Sequence, residues 1–258
     1  MTNILENLQQ VKHNLDVSSG VFDFREDAMY YIAKVNECGN IISEEYFDAL
    51  TKFRADTYLH LGFIATSDVD EKGRDIDIDE SRSTSFIVIK KNNNTLDGPS
   101  VVGSGRLIYK GSPDRPLPIE QYFPECFEDG PLSNNTVEVS RFISRDPAEI
   151  NRHMVSLAII RSLLFEAFEH NIDDSYCIIE KPLLKLLNNI GIPTEVIDEP
   201  KDIPNQGGTL YPIEINPYRV LESVKSDKYK IINLKSFFDD KNRGVGYYSS
   251  NLDGVKDE

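Results

Sequence analysis

Two charged residues lie close together in a short run of β-forming residues. Glu138 and Arg141 belong to the segment 137–142, in which valines alternate with other residues, and asparagines precede it. This pattern predicts a strand. Because a strongly apolar helical pattern follows, we expect both charges to be central and partly buried, where each needs a partner. Those partners must come from other segments of the chain.

Two arginines elsewhere occupy positions that folding alone does not require. Arg54 falls in the middle of a predicted helix, and Arg106 lies at the centre of a predicted strand. One interpretation is a structural ion network that ties the helix to the sheet, and composition alone favours it. The other is a pocket for an anion and an amine. There the arginines would hold a carboxylate by paired hydrogen bonds, and Glu138 would hold or deprotonate the amine.

An acidic segment, residues 68–80, is a further source of partners. It contains seven carboxylates and two cations. A solvated loop is one interpretation, and a mobile flap that supplies carboxylates to the pocket is another. A calcium loop is a third, because Asp68, Asp70, Gly73 and Asp79 have matching spacing. Lys72, however, occupies a ligand position of that motif, and a strand follows it instead of a helix.

The predicted elements place these residues on a mixed fold. Strands are expected at residues 28–35, 85–89, 101–109, 137–142, 175–179, 194–197 and 210–215. Helices are expected at residues 43–61, with Ser43 as N-cap and Gly62 as the end, and at 147–170 and 182–189. The order predicts an α+β fold with a mostly antiparallel central sheet flanked by helices.

Two segments of this layout need separate expectations. Residues 85–109 are expected to form a long hairpin, in which Gly103 and Gly105 indicate a bulge or a close backbone approach. Residues 111–133 are rich in proline and are expected to form an irregular loop over a site. For domain organisation, we predict an N-terminal arm at 1–25, one domain at 26–222 and a polar C-terminal tail at 223–258.

Composition limits the class of protein. The chain has 258 residues and a formal net charge of −15, which argues against general binding to nucleic acid or anionic membrane. The N-terminus does not resemble a signal peptide, and no apolar run is long enough to span a membrane. Three widely separated cysteines are typical of reduced, mostly buried thiols. We therefore expect a soluble cytoplasmic protein without stable membrane insertion.

Four pieces of the sequence together resemble the signature of acyl-homoserine-lactone (autoinducer) synthases and of their relatives, the bacterial N-acyl amino acid synthases. The pieces are Arg54 with Tyr58 and Leu61-Gly62-Phe63, then Asp75-x-Asp77-x-x-Glu80, then Gly103-x-x-Arg106-Leu107, and finally Glu138-x-Ser140-Arg141-Phe142. Each piece alone is weakly specific, but all four occur in order on the expected elements. The resemblance covers residues 28–220 and implies a GNAT-like acyltransferase fold.

The resemblance also implies roles for individual residues. Glu138 and Arg141 correspond to the catalytic pair of the family. The implied substrate-binding residues are Arg54, Phe63, Asp77, Glu80, Arg106, Ser140 and Phe142. Glu80 replaces the usual Asp of the family, and Asp79 is a competing register for it. On this basis Arg106 or Arg141 would bind the carboxylate of the acceptor, and Arg54 would brace the acidic loop.

The family transfers an acyl group from a thioester donor to an amine, without a cofactor of its own. Autoinducer synthases use S-adenosylmethionine as acceptor and usually have Trp where this chain has Phe63, and this chain has no Trp at all. The departure favours an amino acid acceptor, with an acyl-homoserine-lactone synthase as the alternative. A non-catalytic module that binds a ligand on the same fold is a second alternative.

The donor is expected to be an acyl carrier protein, with acyl-CoA as the alternative. The run 153–158 lacks the glycines that cradle the pyrophosphate of coenzyme A in related folds. Because a carrier protein is acidic, it requires a local basic patch on this acidic chain. The candidates for that patch are Arg145, Arg152, His153, Lys181 and Lys185, of which Arg152, Lys181 and Lys185 are predicted to bind the partner. No metal site is expected.

Overall fold

A computed structural model describes residues 30–90, 100–112, 114–128, 130, 132–145, 149–203, 208–225 and 245–248. The strands are β1 (Tyr30–Glu37), β2 (Asn40–Ile41), β3 (Ser83–Lys90), β4 (Ser100–Tyr109), β5 (Thr136–Ser144), β6 (Asp174–Glu180), β7 (Glu195–Val196), β8 (Lys201–Asp202), β9 (Thr209–Ile215) and β10 (Val245–Tyr248). The helices are α1 (Glu44–Leu61), α2 (Pro118–Tyr122), α3 (Glu149–Glu169), α4 (Lys181–Ile190) and α5 (Pro217–Lys225).

All the strands belong to one sheet with the order β10-β1-β3-β4-β5-β6-β9-β7, to which β2 and β8 add at β1 and β9. Neighbouring strands are antiparallel, except that β10 is parallel to β1 and β6 is parallel to β5. Helices cover both faces. The predicted α+β fold with a mostly antiparallel central sheet is therefore confirmed.

The parallel pair in the middle of this sheet is only half formed. Paired residues run from Thr136 opposite Asp174 to Val139 opposite Cys177. Beyond these residues β5 continues to Ser144 and β6 to Glu180, but β5 and β6 form no further pairs with each other. The two strands therefore diverge and leave an opening in the sheet that begins after Val139.

The long helix α3 lies against one face of the sheet because the two predicted glycines leave room for it. A Cβ atom on Gly103 would lie 2.5 Å from Cγ1 of Val155, and one on Gly105 would overlap Cγ2 of Ile159. The pairing of β4 with β5 also shifts register between Ser104 and Arg106. Of the two alternatives expected for these glycines, the close approach is confirmed, whereas the extra residue of this register shift lies in β5 and not at a glycine of β4.

The opposite face is covered by α1 and α2. Helix α1 begins and ends as predicted, because the Ser43 hydroxyl accepts a hydrogen bond from the backbone of Tyr46 and Gly62 adopts the left-handed conformation. Phe47 and Leu50 of this helix pack on β1 and β3. Arg54, on the same helix, is thereby directed into the interior and is fully buried.

Several expectations differ from the structure. The predicted irregular loop 111–133 contains α2 and a 3-10 turn at Pro124–Phe127. Pro118 at the first helical position and Glu120 two residues later are local signals for the start of a helix. The many prolines of this segment led instead to the prediction of an irregular loop. Cys177 is buried, as expected, but Cys38 is exposed and Cys126 is partly so.

The predicted terminal segments are described only in small part. The N-terminal arm 1–25 lies outside the described residues, as does most of the predicted tail 223–258. Within that tail, α5 extends to Lys225, and Val245–Tyr248 pairs with β1 as a parallel edge strand. In the described chain no helix is both long enough and apolar enough to cross a bilayer.

Candidate active site

Glu138 lies on β5 and points to the face of the sheet covered by α2. Its side chain is almost completely buried, and its Oε2 atom accepts a hydrogen bond from the backbone N–H of Ile119, 2.7 Å away. Burial raises the pKa of Glu138 to about 8, although the Ile119 hydrogen bond and the charge of Arg106 act in the opposite direction. A carboxyl group with this pKa can exchange a proton with an amine near neutral pH.

A bulge in β5 brings Arg141 to the same face as Glu138. In a regular strand, residues three apart point to opposite faces. Here Ser104 is opposite Ile143 and Arg106 is opposite Ser140, so β5 has one residue more than β4 between these pairs. Arg141 sits in this bulge with a φ of 52°, in the left-handed region. The bulge re-aims its guanidinium toward the acidic segment.

Asp75 connects two of the predicted arginines. Its Oδ2 atom accepts a hydrogen bond from Nε of Arg54 at 3.0 Å, and its Oδ1 atom accepts one from Nη2 of Arg141 at 3.3 Å. Arg54 also pairs with Glu80 at 2.5 Å. The guanidinium of Arg141 lies 5.0 Å from the ring centre of Tyr58, a cation–π contact. Asp75 and Tyr58 are site residues for which the motif gave no role.

Arg106 is held by a two-pronged contact with Asp77. Its Nη1 and Nη2 atoms donate to the two carboxylate oxygens at 2.8 and 2.9 Å, and its Nε atom donates to Oγ of Ser140. Burial alone would raise the pKa of Asp77, but the charge and hydrogen bonds of Arg106 lower it well below its usual range. Asp77 is therefore an anion, and Arg106 donates hydrogen bonds to Asp77, Glu80 and Ser140.

The structure distinguishes the two registers of the acidic motif. Glu80 accepts hydrogen bonds from both Arg54 and Arg106. Asp79 instead pairs with Arg82, outside this network. The calcium-loop hypothesis is also disfavoured, because Asp70 binds the side chain and backbone of Arg74 and the spaced carboxylates do not converge in the described chain.

A cavity of about 690 Å³ opens beside these residues and passes through the gap between β5 and β6. Its polar end is formed by the predicted residues Phe63, Asp77, Arg106, Glu138, Ser140 and Arg141. Its apolar part is formed by Phe142 and by side chains of α3, α4 and β6, among them Ile160, Leu163, Leu164, Ile179, Leu183 and Leu187. The cavity thus joins a charged pocket to an apolar one.

Most of the predicted site residues are therefore brought together. Among the described residues, Arg54 and Glu80 do not line the cavity. They lie behind Asp75 and Asp77 and so support the wall of the pocket. Arg141 is the more accessible of the two cavity arginines, with 22% of its side chain exposed against 3% for Arg106. The individual roles in catalysis and binding remain predictions.

Two of the three cations of the predicted basic patch lie in the described part of the chain, and the patch itself stays a prediction. Lys181 and Lys185 are exposed on α4, one turn apart, and Pro182 and Leu183 of the same turn line the cavity. Arg152 belongs to α3, but its side chain lies outside the described part of the chain. The run 153–158 is inside α3, and Val155 and Ala158 are core residues.

One group of side chains has the composition of a metal site. Single ligand atoms of Glu37, Glu166 and His170 lie within 4.8 Å of one another. However, Nζ of Lys34 is already 2.8 Å from Glu166, and the Tyr109 hydroxyl donates to the same carboxylate. Lys34 therefore neutralises the buried charge of Glu166, and none of the three residues lines the cavity.

Comparison with known protein families identifies the family to which this chain belongs. A model of the family described as autoinducer synthase matches residues 64–216, more than half of the chain. The chain belongs to the autoinducer synthase family. It is accordingly an acyltransferase, and the alternative of a non-catalytic module is not supported. The match contains every predicted site residue except Arg54 and Phe63. No curated protein sequence is significantly similar.

Solved structures share the fold at low sequence identity. The CoA-dependent acyl-homoserine lactone synthase BjaI with MTA has a TM-score of 0.60 at 14% identity, over 87% of this chain and 96% of that one. The AHL synthase LasI gives 0.54 at 16%, over 73% and 89%. FeeM, an N-acyl amino acid synthase from uncultured soil microbes, gives 0.51 at 14%, over 75% and 95%. This likeness confirms the predicted fold.

Proposed function

We propose that this acyltransferase moves a fatty acyl group from an acyl carrier protein to the amine of an amino acid, and so produces an N-acyl amino acid. The observation that carries the proposal is Glu138. It is a buried carboxylate with a pKa of about 8, at the junction between a charged pocket and an apolar one. That junction is where an amine and a fatty acyl thioester would have to meet.

The chemistry follows from this placement. Glu138 takes a proton from the ammonium of the acceptor, and the freed lone pair attacks the thioester carbonyl. The tetrahedral intermediate collapses with cleavage of the C–S bond. The thiolate leaves and takes up one proton, and the new amide nitrogen releases one. The reaction converts ammonium and thioester into amide, thiol and one free proton, without a covalent acyl-enzyme.

The divergence of β5 and β6 suits the donor. Residues 140–143 of β5 do not pair with β6. Their backbone groups on that side can bind the donor arm and stabilise the oxyanion. The apolar side chains of α3 and α4 beyond the opening provide a lining that an acyl chain can fill. Chain length would be set by the depth of this lining.

The polar end of the cavity suits a small zwitterion. Arg141 is the accessible cation for an acceptor carboxylate, and Asp77 and Glu138 are the nearby carboxylates for its ammonium. Phe63 stands where autoinducer synthases usually have Trp, which favours an amino acid over S-adenosylmethionine. The second candidate is an acyl-homoserine-lactone synthase that uses S-adenosylmethionine, and the family match favours it.

The proposal that the donor is a carrier protein rests on surface charge. Lys181 and Lys185 are exposed beside the cavity on a chain of net charge −15, and α3 lacks the glycines of a pyrophosphate cradle. Acyl-CoA is the competing donor, because BjaI is described as CoA-dependent. Either donor would place the reaction in the bacterial cytoplasm, and an N-acyl product could act as a quorum-sensing signal.

One experiment separates these possibilities. The purified protein is incubated with acyl carrier protein or CoA thioesters of several chain lengths, each with a panel of amino acids or with S-adenosylmethionine. Mass spectrometry identifies the products. We expect an N-acyl amino acid from the carrier-protein donor. An acyl-homoserine lactone would support the second candidate, and the absence of both products with every donor would contradict the proposal.

A further inference from the structure

A buried ion pair lies directly behind the hydrogen bond that Glu138 receives. Nζ of Lys110 is 2.8 and 2.7 Å from the two carboxylate oxygens of Glu120. Only 1% of the Lys110 side chain and 10% of the Glu120 side chain are exposed. Neither residue lines the cavity, and neither belongs to the sequence motif of the site.

This pair fixes the start of α2. Oε2 of Glu120 also accepts a hydrogen bond from the backbone N–H of Leu117, 2.6 Å away. Lys110 is anchored to the sheet, since its own backbone N–H donates to the carbonyl of Thr136 at the beginning of β5. The ion pair therefore connects the first turn of α2 to the strand that carries Glu138.

The first turn of α2 supplies the hydrogen bond to Glu138. The N–H of Ile119 has no partner within the helix, because the first N–H groups of a helix are free. It donates to Oε2 of Glu138. Among the described residues, this N–H is the donor from which the Glu138 carboxylate accepts a hydrogen bond. A donor to the ionised form lowers the pKa of a carboxyl group. The position of α2 therefore affects how readily Glu138 gives and takes a proton.

Apolar packing alone would hold α2 without this pair. Leu117, Ile119 and Phe123 are all fully buried and pack against Ile108 of β4. A buried ion pair stabilises a fold little more than apolar residues of the same volume would. Its directional contacts instead define the orientation of the turn, which apolar packing specifies less sharply.

We propose that Lys110 and Glu120 are positioning residues for acyl transfer: their ion pair holds the first turn of α2 so that the Ile119 N–H donates to Oε2 of Glu138 and leaves Oε1 for the acceptor amine. The inference rests on the proposed role of Glu138 as the base. It adds a pair of residues that act on that base from outside the substrate cavity.

The test is the pH profile of kcat/KM for the acceptor in Glu120→Gln and Lys110→Met. Loss of the ion pair weakens the Ile119 hydrogen bond, so Glu138 needs a higher pH to ionise. We expect the apparent pKa to rise by about one unit, which lowers kcat/KM about tenfold at pH 7 but only about twofold at pH 9. Lys52→Met, which breaks the exposed Lys52–Asp48 pair, is the matched control with an unchanged profile.

A second variant guards against simple loss of folding. In Lys110→Met with Glu120→Gln neither position of this pair retains a charge, so no unpaired charge is left there. The amide that replaces the Glu120 carboxylate retains an acceptor for the Leu117 N–H. Arg82 additionally ties this segment down by donating to the carbonyls of Arg115 and Pro116. The double variant should fold, show the raised apparent pKa and exchange the Ile119 amide hydrogen faster than the wild type.

Two outcomes would overturn the proposal. One is a wild-type pH profile in the double variant, and the other is an equal loss of activity at every pH. Failure of the proposed base is distinguishable, because it would appear as full turnover in Glu138→Gln. If Glu138→Gln is inactive while the double variant has the wild-type profile, the base assignment stands and the positioning role does not.

Discussion

At the scale of single residues, the proposed chemistry depends on Glu138. Replacement by Gln keeps the shape of the side chain and removes its ability to accept a proton. We expect kcat to fall by about 10²- to 10⁴-fold, the usual contribution of a general base. Steady-state turnover with the preferred donor and acceptor measures the loss. Glu45→Gln, at an exposed position of α1, should keep full activity.

Activity of the wild-type enzyme should also depend on pH in a defined direction. Because burial raises the pKa of Glu138 to about 8, this side chain is protonated in most molecules at pH 7. We expect kcat/KM for the acceptor to increase with pH through an apparent pKa near 8. A profile that is flat between pH 6 and 9 would contradict the assignment of Glu138 as the base.

The same pKa predicts how folding stability depends on pH. Between its ordinary value of 4.5 and about 8, Glu138 holds a proton in the folded state and has lost it in the unfolded state. The folded state then binds more protons, so the free energy of unfolding decreases as pH rises through this window. Glu138→Gln lacks this contribution. Denaturant unfolding at pH 5 and pH 8 should show a smaller decrease for the variant than for the wild type.

At the scale of elements, the contact between α3 and β4 determines where the cavity wall lies. Gly105 lets α3 approach, and Ile159, Leu163 and Ile160 of that helix lie over the sheet and the cavity. Gly105→Ala should destabilise the protein by about 1–3 kcal/mol, as overpacking of a core does. Chemical denaturation measures this change.

A second substitution tests the cause of that loss. Ile159→Ala removes the Cγ2 atom that the new Cβ at position 105 would overlap. In the double variant the two effects should be non-additive, with Gly105→Ala less harmful than in the wild type. Strict additivity would show that the close approach of α3 is not the reason for the glycine.

At the scale of the whole molecule, a strongly negative chain must attract an acidic donor through a local patch. We expect Lys181→Glu with Lys185→Glu to raise the KM for acyl carrier protein at least about tenfold and to leave the KM for acyl-CoA less affected. Kinetics at low and high salt provide the measurement, since salt should reduce the difference. Adding a charge reversal at Arg152 tests the third predicted member of the patch.

A matched charge reversal serves as the control for this patch. Lys72→Glu makes the same kind of change at an exposed position in the acidic loop. It should leave the KM for both donors unchanged. An equal effect of Lys72→Glu and of the α4 variants would indicate general repulsion by the net charge, without a docking surface.

Much of this protein could be predicted from the order of its residues. Local patterns of apolar residues, caps and glycines were enough to predict β3, β4, α1 and α3 and the layered α+β fold. The resemblance of four short motifs to the autoinducer synthases identified residues that line the cavity, such as Asp77, Arg106 and Glu138, and Arg54, which supports its wall. The patterns, caps, glycines and motifs are local signals, because each is read from residues that are neighbours in the chain. The charged motif residues are recognisable because their types seldom occur at core positions.

How those residues face one another depends on the tertiary structure. Strand periodicity places Glu138 and Arg141 on opposite faces, and only the bulge with Arg141 at a positive φ brings them together. Likewise, Glu80 rather than Asp79 joins the network because the turn after Asp77 directs it to Arg54 and Arg106. Bulges, strand divergence and buried ion pairs depend on contacts between distant segments, and the spacing of residues along one segment does not contain that information.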